Sequence, residues 1–467
     1  MDGGRSTWDR REALRVGTLA SLLGIAGCTE SSNNGQSGSV DGSENGPIDR
    51  SGNESTGDES ESDPEADEPT LEPADGWQGV DPTGEITYRD DPNWRLLGHD
   101  TGSTFHNPHA DGPSDDPQVR WTVQGINDPL AGFNHHPLIV DGTVYVIQER
   151  DGATSSSGSS DPEKNRGAQF VAVDAETGES ETVFELDGRI TRPTIVDDIV
   201  YAAVGGGVVA YDLQEERFRW RTDDVLVYPS SIRVVGDVLV ALDQEQMYSY
   251  PEWEPLPQLF VLDAADGTIL WEAAGDGGGG SQPRLPIIAD GCTFYPDTPL
   301  VRSVDEMTPA AMLPMPIYYP VLRDGELYGS NEGGLVSIDW STLKTRWEYR
   351  PEDRSIGGGW VAVFDDIVVV DDFRGPGFVG LDRATGDRRW ATTIRENRIP
   401  AAYLASTSDR VYVAHQGGAA SAIDPADGTV VWTLDEEGME WGRADGCALA
   451  DDLLVTVGRD GTYFAIS

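Results

Sequence analysis

Five of the chain's six histidines lie within a short window: His99, His106, His109, His135 and His136. Imidazole nitrogens in such density could hold a transition metal, which needs three or four ligands converging on one point. The spacing argues against it. His106 and His109 stand three apart, but Asn107-Pro108 between them excludes the helical turn that would bring them together. The window reads as surface and turn histidines, with no metal site. Nucleophilic and phosphate chemistry lack their signatures as well. No G-x-S-x-G elbow and no P-loop occur, and no helix follows the run Gly277–Gly280 to make it a phosphate cradle. No catalytic residue is assigned.

The elements that would position any such residue are read from a repeated phrase. Six stretches carry a short apolar strand, an Asp, a turn and, in all but the first, a Trp eight residues after the Asp: VAVDAETGES, VAYDLQEERFRW, FVLDAADGTILW, VSIDWSTLKTRW, VGLDRATGDRRW and SAIDPADGTVVW. The key residues are Asp174, Asp212, Asp263, Asp339, Asp382 and Asp424. Asp suits the head of a turn because its carboxylate accepts nearby backbone N–H groups. Gly178, Gly267, Gly386 and Gly428 supply the positive φ that closes it. Trp220, Trp271, Trp347, Trp390 and Trp432 would pack against the neighbouring repeat. Asp305, with Leu313 in the Trp place, is a degraded seventh copy.

A second phrase, an inner hairpin of the type HHPLIVDGTVYV, occurs eight times. Repeats of about 40 residues built on strand–turn–strand signal a β-propeller. The expected fold is all-β: an eight-bladed propeller of four-stranded blades. The final blade lacks its last strand, and residues 119–123, which carry Trp121, are expected to supply it by pairing with residues 463–466 and so close the ring.

Aligned on their turns, the inner hairpins place the residues five and six positions upstream around one funnel mouth. These include His135, His136, Arg192, Arg284, Tyr318, Tyr319, Trp360 and Tyr403. Aromatic walls with a few polar groups suit a small, planar or anionic ligand. Large side chains that simply fill the funnel are the competing expectation. Three insertions, 148–167, 246–258 and 307–320, are rim candidates for partner contact or covers for a blade edge.

These motifs resemble the pyrroloquinoline-quinone-type propeller repeats, over roughly residues 94–467. That family includes quinoprotein dehydrogenases and the propeller lipoprotein of the bacterial outer-membrane barrel-assembly machinery. The stretch Trp94…Gly98-His99-Asp100…Thr104…Asn107-Pro108 is similar to the lead-in of haloarchaeal members. For the dehydrogenases the resemblance implies an adjacent Cys pair beside the quinone and a calcium held by Glu, Asn and Asp. This chain has no adjacent Cys pair, and no calcium set matches. A binding or scaffold module without a cofactor is the expectation. A quinone- or metal-dependent oxidoreductase, with quinone and Ca, and an assembly factor for envelope proteins stay open as alternatives.

The N-terminus reads as an address. Arg10-Arg11 is similar to a twin-arginine export pair, and Ile25-Ala26-Gly27-Cys28 resembles a lipobox that would lipidate Cys28. Residues 1–27 are then a signal peptide, 28–92 an acidic disordered tether and 93–467 the propeller. The expected location is the outer face of the cytoplasmic membrane, as a monomer held by the lipid.

The net charge is −49, with only two lysines, Lys164 and Lys344. Residues 29–92 hold 18 acids against Arg50 and Arg89. Acidity combined with scarce lysine points to a halophilic archaeon, where concentrated salt screens the self-repulsion. No basic stripe exists to meet phosphates, which disfavours nucleic acid. The partner is a protein or a small molecule. Cys292 and Cys447 fall on opposite blades, too far apart for a disulfide.

Overall fold

Each inner phrase folds as two antiparallel strands, and each outer phrase adds two more. The computed structural model describes residues 86–126, 136–150, 167–188, 190–204, 207–223, 229–243, 257–274, 286–294, 300–304, 309–331, 334–351, 360–371, 377–394, 401–415, 419–435, 446–458 and 461–467. Among these, 32 strands form eight four-stranded antiparallel sheets, the blades of a propeller. Blades 1 to 7 span 138–187, 190–223, 229–274, 287–312, 318–349, 361–393 and 401–435. Blade 8 spans 447–466 and is completed by the strand Val119–Gln124. That strand runs antiparallel to Thr462–Ile466, with Trp121 opposite Ala465 and Val123 opposite Tyr463. The expected closure is therefore present. Gln118 and Ser467 exchange both backbone hydrogen bonds beyond it.

The outer phrase does the work its residue types suggested. The Asp174 carboxylate accepts the N–H groups of Glu176 and Thr177 at 3.1 and 2.8 Å. Asp382 accepts those of Ala384 and Thr385, both at 3.0 Å. These bonds favour the ionised carboxyl and hold Asp174 and Asp382 below the usual carboxylate range, with the Arg389 side chain first among the causes at Asp382.

The blades are joined by the tryptophans. The indole N–H groups of Trp121, Trp220, Trp347 and Trp390 donate to the backbone oxygens of Ala175, Ala264, Arg383 and Pro425, at 2.8–3.0 Å. Each acceptor directly follows the key Asp of the next blade. The turn glycines Gly178, Gly267, Gly386 and Gly428 have φ of 74, 74, 75 and 77°. A Cβ on any of them would come within 2.5–2.8 Å of the docked Trp. Glycine is thus required there twice, for its backbone and for the ring lying on it.

The seam between blades 4 and 5 departs from this pattern, as the degraded phrase foretold. Blade 4 offers Leu313 instead of Trp. Trp340, the residue after Asp339 on blade 5, fills the gap from the other side. It is fully buried among Ile287, Phe294 and Leu313, and its N–H reaches the Asp290 carboxylate of blade 4 at 3.1 Å. The third insertion covers the same seam: Ile317 is buried and Met315 packs on that core. Residues 151–166, 246–256 and 307–308 of the three insertions lie outside the described residues.

Candidate functional site

The innermost strands of a propeller each present a free edge of N–H and C=O groups to the axis. Edges of this kind must be paired, covered or hydrated. Here one segment, residues 94–107, pairs with them. Trp94 exchanges two backbone hydrogen bonds with Ile139 of blade 1, at 2.8 and 3.0 Å. The oxygens of Arg95, Thr101 and Gly102 accept from Ile195, Ile288 and Leu322 of blades 2, 4 and 5, at 2.9–3.0 Å. The Phe105 oxygen accepts from Ser406 of blade 7 at 2.7 Å. The Asn107 side chain donates to the Leu449 oxygen of blade 8 at 3.2 Å. Ile139, Ile195, Ile288, Leu322, Ser406 and Leu449 all stand two places before the inner turn, so the contacts repeat although the segment does not.

Blades 3 and 6 are reached by side chains. Arg233 of blade 3 donates to Ser103 Oγ at 3.1 Å. Phe105 packs edge-on against Trp360 of blade 6 with ring centroids 4.8 Å apart. The segment thus touches all eight blades and plugs the funnel at its turn-side end. Its tight winding places His99, Ser103 and Phe105 in the left-handed region, with φ of 70, 55 and 52°. Such residues cost about 1 kcal/mol or more each and persist only where packing holds them. Packing extends back to Ile86, which is buried against blades 4 and 5.

Among the described histidines of the window only His109 is a surface residue, against the expectation of surface and turn positions. His99, His106 and His136 are 0, 7 and 1 % exposed. His99 Nε2 bonds the Asp91 oxygen at 3.0 Å, and His106 Nδ1 bonds Ser406 Oγ at 3.0 Å. Burial, and after it the nearby Arg323 guanidinium, push the His106 imidazolium down to about 3. His106 is therefore neutral. The described residues contain no cluster of three or more ligating side chains.

The predicted mouth residues are brought together only in part. Arg192 and Tyr319 occupy equivalent places on blades 2 and 5, both in the left-handed region with φ of 43 and 50°. The inner strand shifts register at this level, between Thr191 and Thr194 and between Tyr318 and Val321. Irregularities of this kind re-aim a side chain. Trp360 joins them, 5.0 Å edge-on from Tyr319. Arg192 and Trp360 are 2 and 6 % exposed, while Tyr318 and Tyr319 are half-buried. His136 turns sideways, its Nε2 at 3.2 Å from the Pro193 oxygen of blade 2, with Gly446 of blade 8 tight against its Cβ. It is a staple across three blades. His135 and Arg284 lie outside the described residues, as does the side chain of Tyr403.

Sequence reasoning missed Arg233. It stands three places before its turn, where the other seven blades carry Leu138, Thr194, Ile287, Val321, Ala362, Ala405 and Ala448. A cation in that column was the available signal. Its guanidinium is 1 % exposed. Burial draws it down to about 9, with Asp100 opposing and Arg192 adding to the shift, so it stays charged at neutral pH.

Phe105 and Trp360 pack edge-on against each other at the plug, and among the described residues no three or more ligating side chains cluster. Cys292 and Cys447 are buried, unpaired and on blades 4 and 8; burial pushes Cys292 up to about 11 and Cys447 further.

The fold is shared by solved structures. A quinohemoprotein alcohol dehydrogenase from Comamonas testosteroni is 11% identical over 81% of each chain, with a TM-score of 0.57. A computationally designed protein, Ika8, is 14% identical over 74% of this chain and 99% of its own, with a TM-score of 0.54. A europium-containing methanol dehydrogenase is 11% identical over 81% of this chain and 90% of its own, with a TM-score of 0.53. At such identities the likeness concerns the fold alone. Among curated proteins none matches. The family model described as outer membrane protein assembly factor BamB matches residues 114–273, 240–434 and 331–467. Those spans cover most of the propeller and well over half of the sequence, so the chain belongs to that family of PQQ-like repeat propellers.

Proposed function

We propose that the protein is an exported, lipid-anchored binding module that seats a protein partner on the mouth opposite the plug. The observation that carries this reading is the filled axis. Residues 94–107 occupy one end of the funnel, and Arg192, Trp360 and His136 beneath the other end are all but inaccessible. That arrangement favours a partner lying on the face over a small molecule entering the channel. Among the described members of the predicted ring Tyr318 and Tyr319 are the accessible ones, and half-buried tyrosines are common anchors at interfaces. The family description, an assembly factor, supports a protein partner in the cell envelope. Arg10-Arg11 and Cys28 support export and anchoring, and the acidic composition supports a halophilic source.

The test is site-specific photocrosslinking in cells. A photoreactive phenylalanine at Tyr319 is expected to give a discrete protein adduct. The same probe at Asp365, whose side chain is 97% exposed in a turn on the plugged face, is expected to give none. Matching patterns at the two positions, or no adduct at Tyr319, would overturn the reading. Cys28→Ser should move the protein from the membrane fraction to the medium; retention in membranes would remove the anchor from the proposal.

A further inference from the structure

The seam between blades 1 and 2 has no docking tryptophan. Thr182, eight residues after Asp174, stands in the Trp place and is exposed. With no indole to lie on it, the facing turn keeps Glu216 where other turns have glycine, at a φ of 50°. Aromatics close the seam instead. Phe184 of blade 1 and Tyr211 of blade 2 are buried with ring centroids 4.7 Å apart. Phe218 of blade 2 caps both edge-on, at 5.4 and 5.1 Å, yet stays 39 % exposed. Its ring thus leans from its own outer strand across the seam toward blade 1.

The two flanking outer strands carry opposite charge. In blades 2, 5 and 6 the residue before the tryptophan is an arginine on its own key Asp: Arg219 on Asp212, Arg346 on Asp339 and Arg389 on Asp382, at 2.6–2.7 Å. Blade 1 has Glu181 in that place. Among the described residues no cation pairs with Asp174, Glu176, Glu179 or Glu181; Arg120 reaches this turn only at the Ala175 oxygen. Blade 2 presents Arg217, 63 % exposed and paired with the exposed Glu215 at 2.5 Å. An exposed pair of this kind is worth little, so exchanging its partner costs little. Register sets the two strands level. Arg217 and Phe218 stand opposite Asp212 and Tyr211. In blade 1 the Asp174 N–H donates to the Glu179 oxygen and Ser180 stands opposite Val173. Glu179 and Arg217 therefore occupy equivalent places on neighbouring blades.

We propose that this seam docks a second copy of the chain. A surface that is acidic on one side of an apolar centre and basic on the other is complementary to itself under a two-fold rotation. A two-fold axis parallel to the propeller axis sets blade 1 of each copy against blade 2 of the other. It leaves heights along the axis unchanged, so Glu179 of each copy meets Arg217 of the other, with the two Phe218 rings between these contacts. A two-fold axis in the plane of the ring would set acid against acid. At a net charge of −49, two copies repel except where opposite charges face each other in this way. The chosen axis also keeps both plugged faces, where each chain enters at Ile86, on one side, which suits two copies anchored in one membrane. Blades 5 and 6 carry a similar contrast in Lys344 and Asp387, but Trp347 closes that seam, and among the described residues no large apolar side chain is exposed there. The monomer expected from the sequence is then half of a pair.

The test expresses two full-length copies with different tags together in cells, one of them with a photoreactive phenylalanine at Phe218. An adduct carrying both tags is expected. No adduct, or adducts with other proteins only, would overturn the proposal. Arg217→Glu in both copies should cut the two-tag adduct at least about tenfold, and Glu179→Arg in both should do the same. One copy with Arg217→Glu beside one with Glu179→Arg places opposite charges at both contacts again and should recover the adduct. If the changes made in both copies have no effect, or the mixed pair stays uncrosslinked, the two-fold pairing is wrong. Glu179 and Arg217 are both exposed, so neither change threatens the fold.

Discussion

At the rim, neighbouring blades are joined by one device used repeatedly: an indole N–H on the carbonyl after the key Asp, and an indole face on the turn glycine. At the axis, a single irregular segment meets all eight blades. The rim couples each blade to its neighbours, as in other repeat architectures, where stability is a sum of units and nearest-neighbour seams. The axis couples every blade to every other. A defect at the rim should therefore stay local, and a defect at the axis should spread.

The largest expected effect is at the axis. Phe105 is 1 % exposed and packs on Trp360. Phe105→Ala should cost about 3–5 kcal/mol, the usual toll for truncating a buried aromatic. Chemical denaturation at fixed salt gives the magnitude. Hydrogen exchange tests the spread: protection should fall in all eight blades, including those that Phe105 does not touch. Loss confined to blades 6 and 7 would mean that the plug packs against the ring without uniting it.

Gly428→Ala addresses the rim. It meets both penalties, a φ of 77° and a Cβ 2.5 Å from the Trp390 ring. The two add to about 2–3 kcal/mol. Gly142 has nearly the same φ, 76°, but nothing within 4 Å of a Cβ. Gly142→Ala should then cost only about 1 kcal/mol, from the backbone alone. Equal losses at the two sites would mean that the docked indole adds nothing to the glycine requirement. Exchange in Gly428→Ala should rise in blades 6 and 7 and not beyond.

The plug also has a pH signature that the rim lacks. His106 has its pKa lowered from 6.5 to about 3, by burial first and then by Arg323, His99 and Arg89, against Asp324. Between those values the unfolded chain binds a proton that the folded chain refuses, so stability falls as pH drops through 6.5. At pH 5 the loss is about 2 kcal/mol relative to pH 7. Denaturation midpoints of the parent and of His106→Asn, compared from pH 7 to 5, isolate this contribution because most Asp and Glu side chains remain ionised there. The parent should lose stability more steeply, and parallel curves would remove His106 as the cause.

The contrast between rim and axis is also a contrast in legibility. The turn Asp, the positive-φ glycine, the docking Trp and the closing strand with Trp121 could be read because each is a local phrase seen several times in register. Even the exception at blade 4 was visible, as Leu313 in the Trp place, although its compensation by Trp340 was not. The plug occurs once. Its left-handed residues His99, Ser103 and Phe105 follow no periodic pattern, and its partners are backbone groups of distant strands. Nothing in its side chains announces them, so His99 and His106 read as surface residues. The mouth lay between these cases. Alignment placed Arg192, Tyr319 and Trp360 at one level, yet only a register shift decides which side chains turn inward, and His136 turned to the next blade instead.

The smallest effect tests whether the rim seams are equivalent. Trp390→Phe keeps a ring over Gly428 but removes the N–H that donates to the Pro425 oxygen at 2.9 Å. Trp347→Phe does the same at Gly386, where the lost bond to the Arg383 oxygen is 2.8 Å. Each should cost about 1 kcal/mol, the net worth of one such hydrogen bond together with slightly poorer filling. If the seams are independent copies, the double variant should lose the sum within about 0.5 kcal/mol. The two seams flank blade 6, whose strands also receive Phe105 and His106 of the plug. A double variant that loses clearly more than the sum would mean that blade 6 transmits strain between its two seams, and that the plug, not the docking tryptophan, sets the size of the cooperative unit.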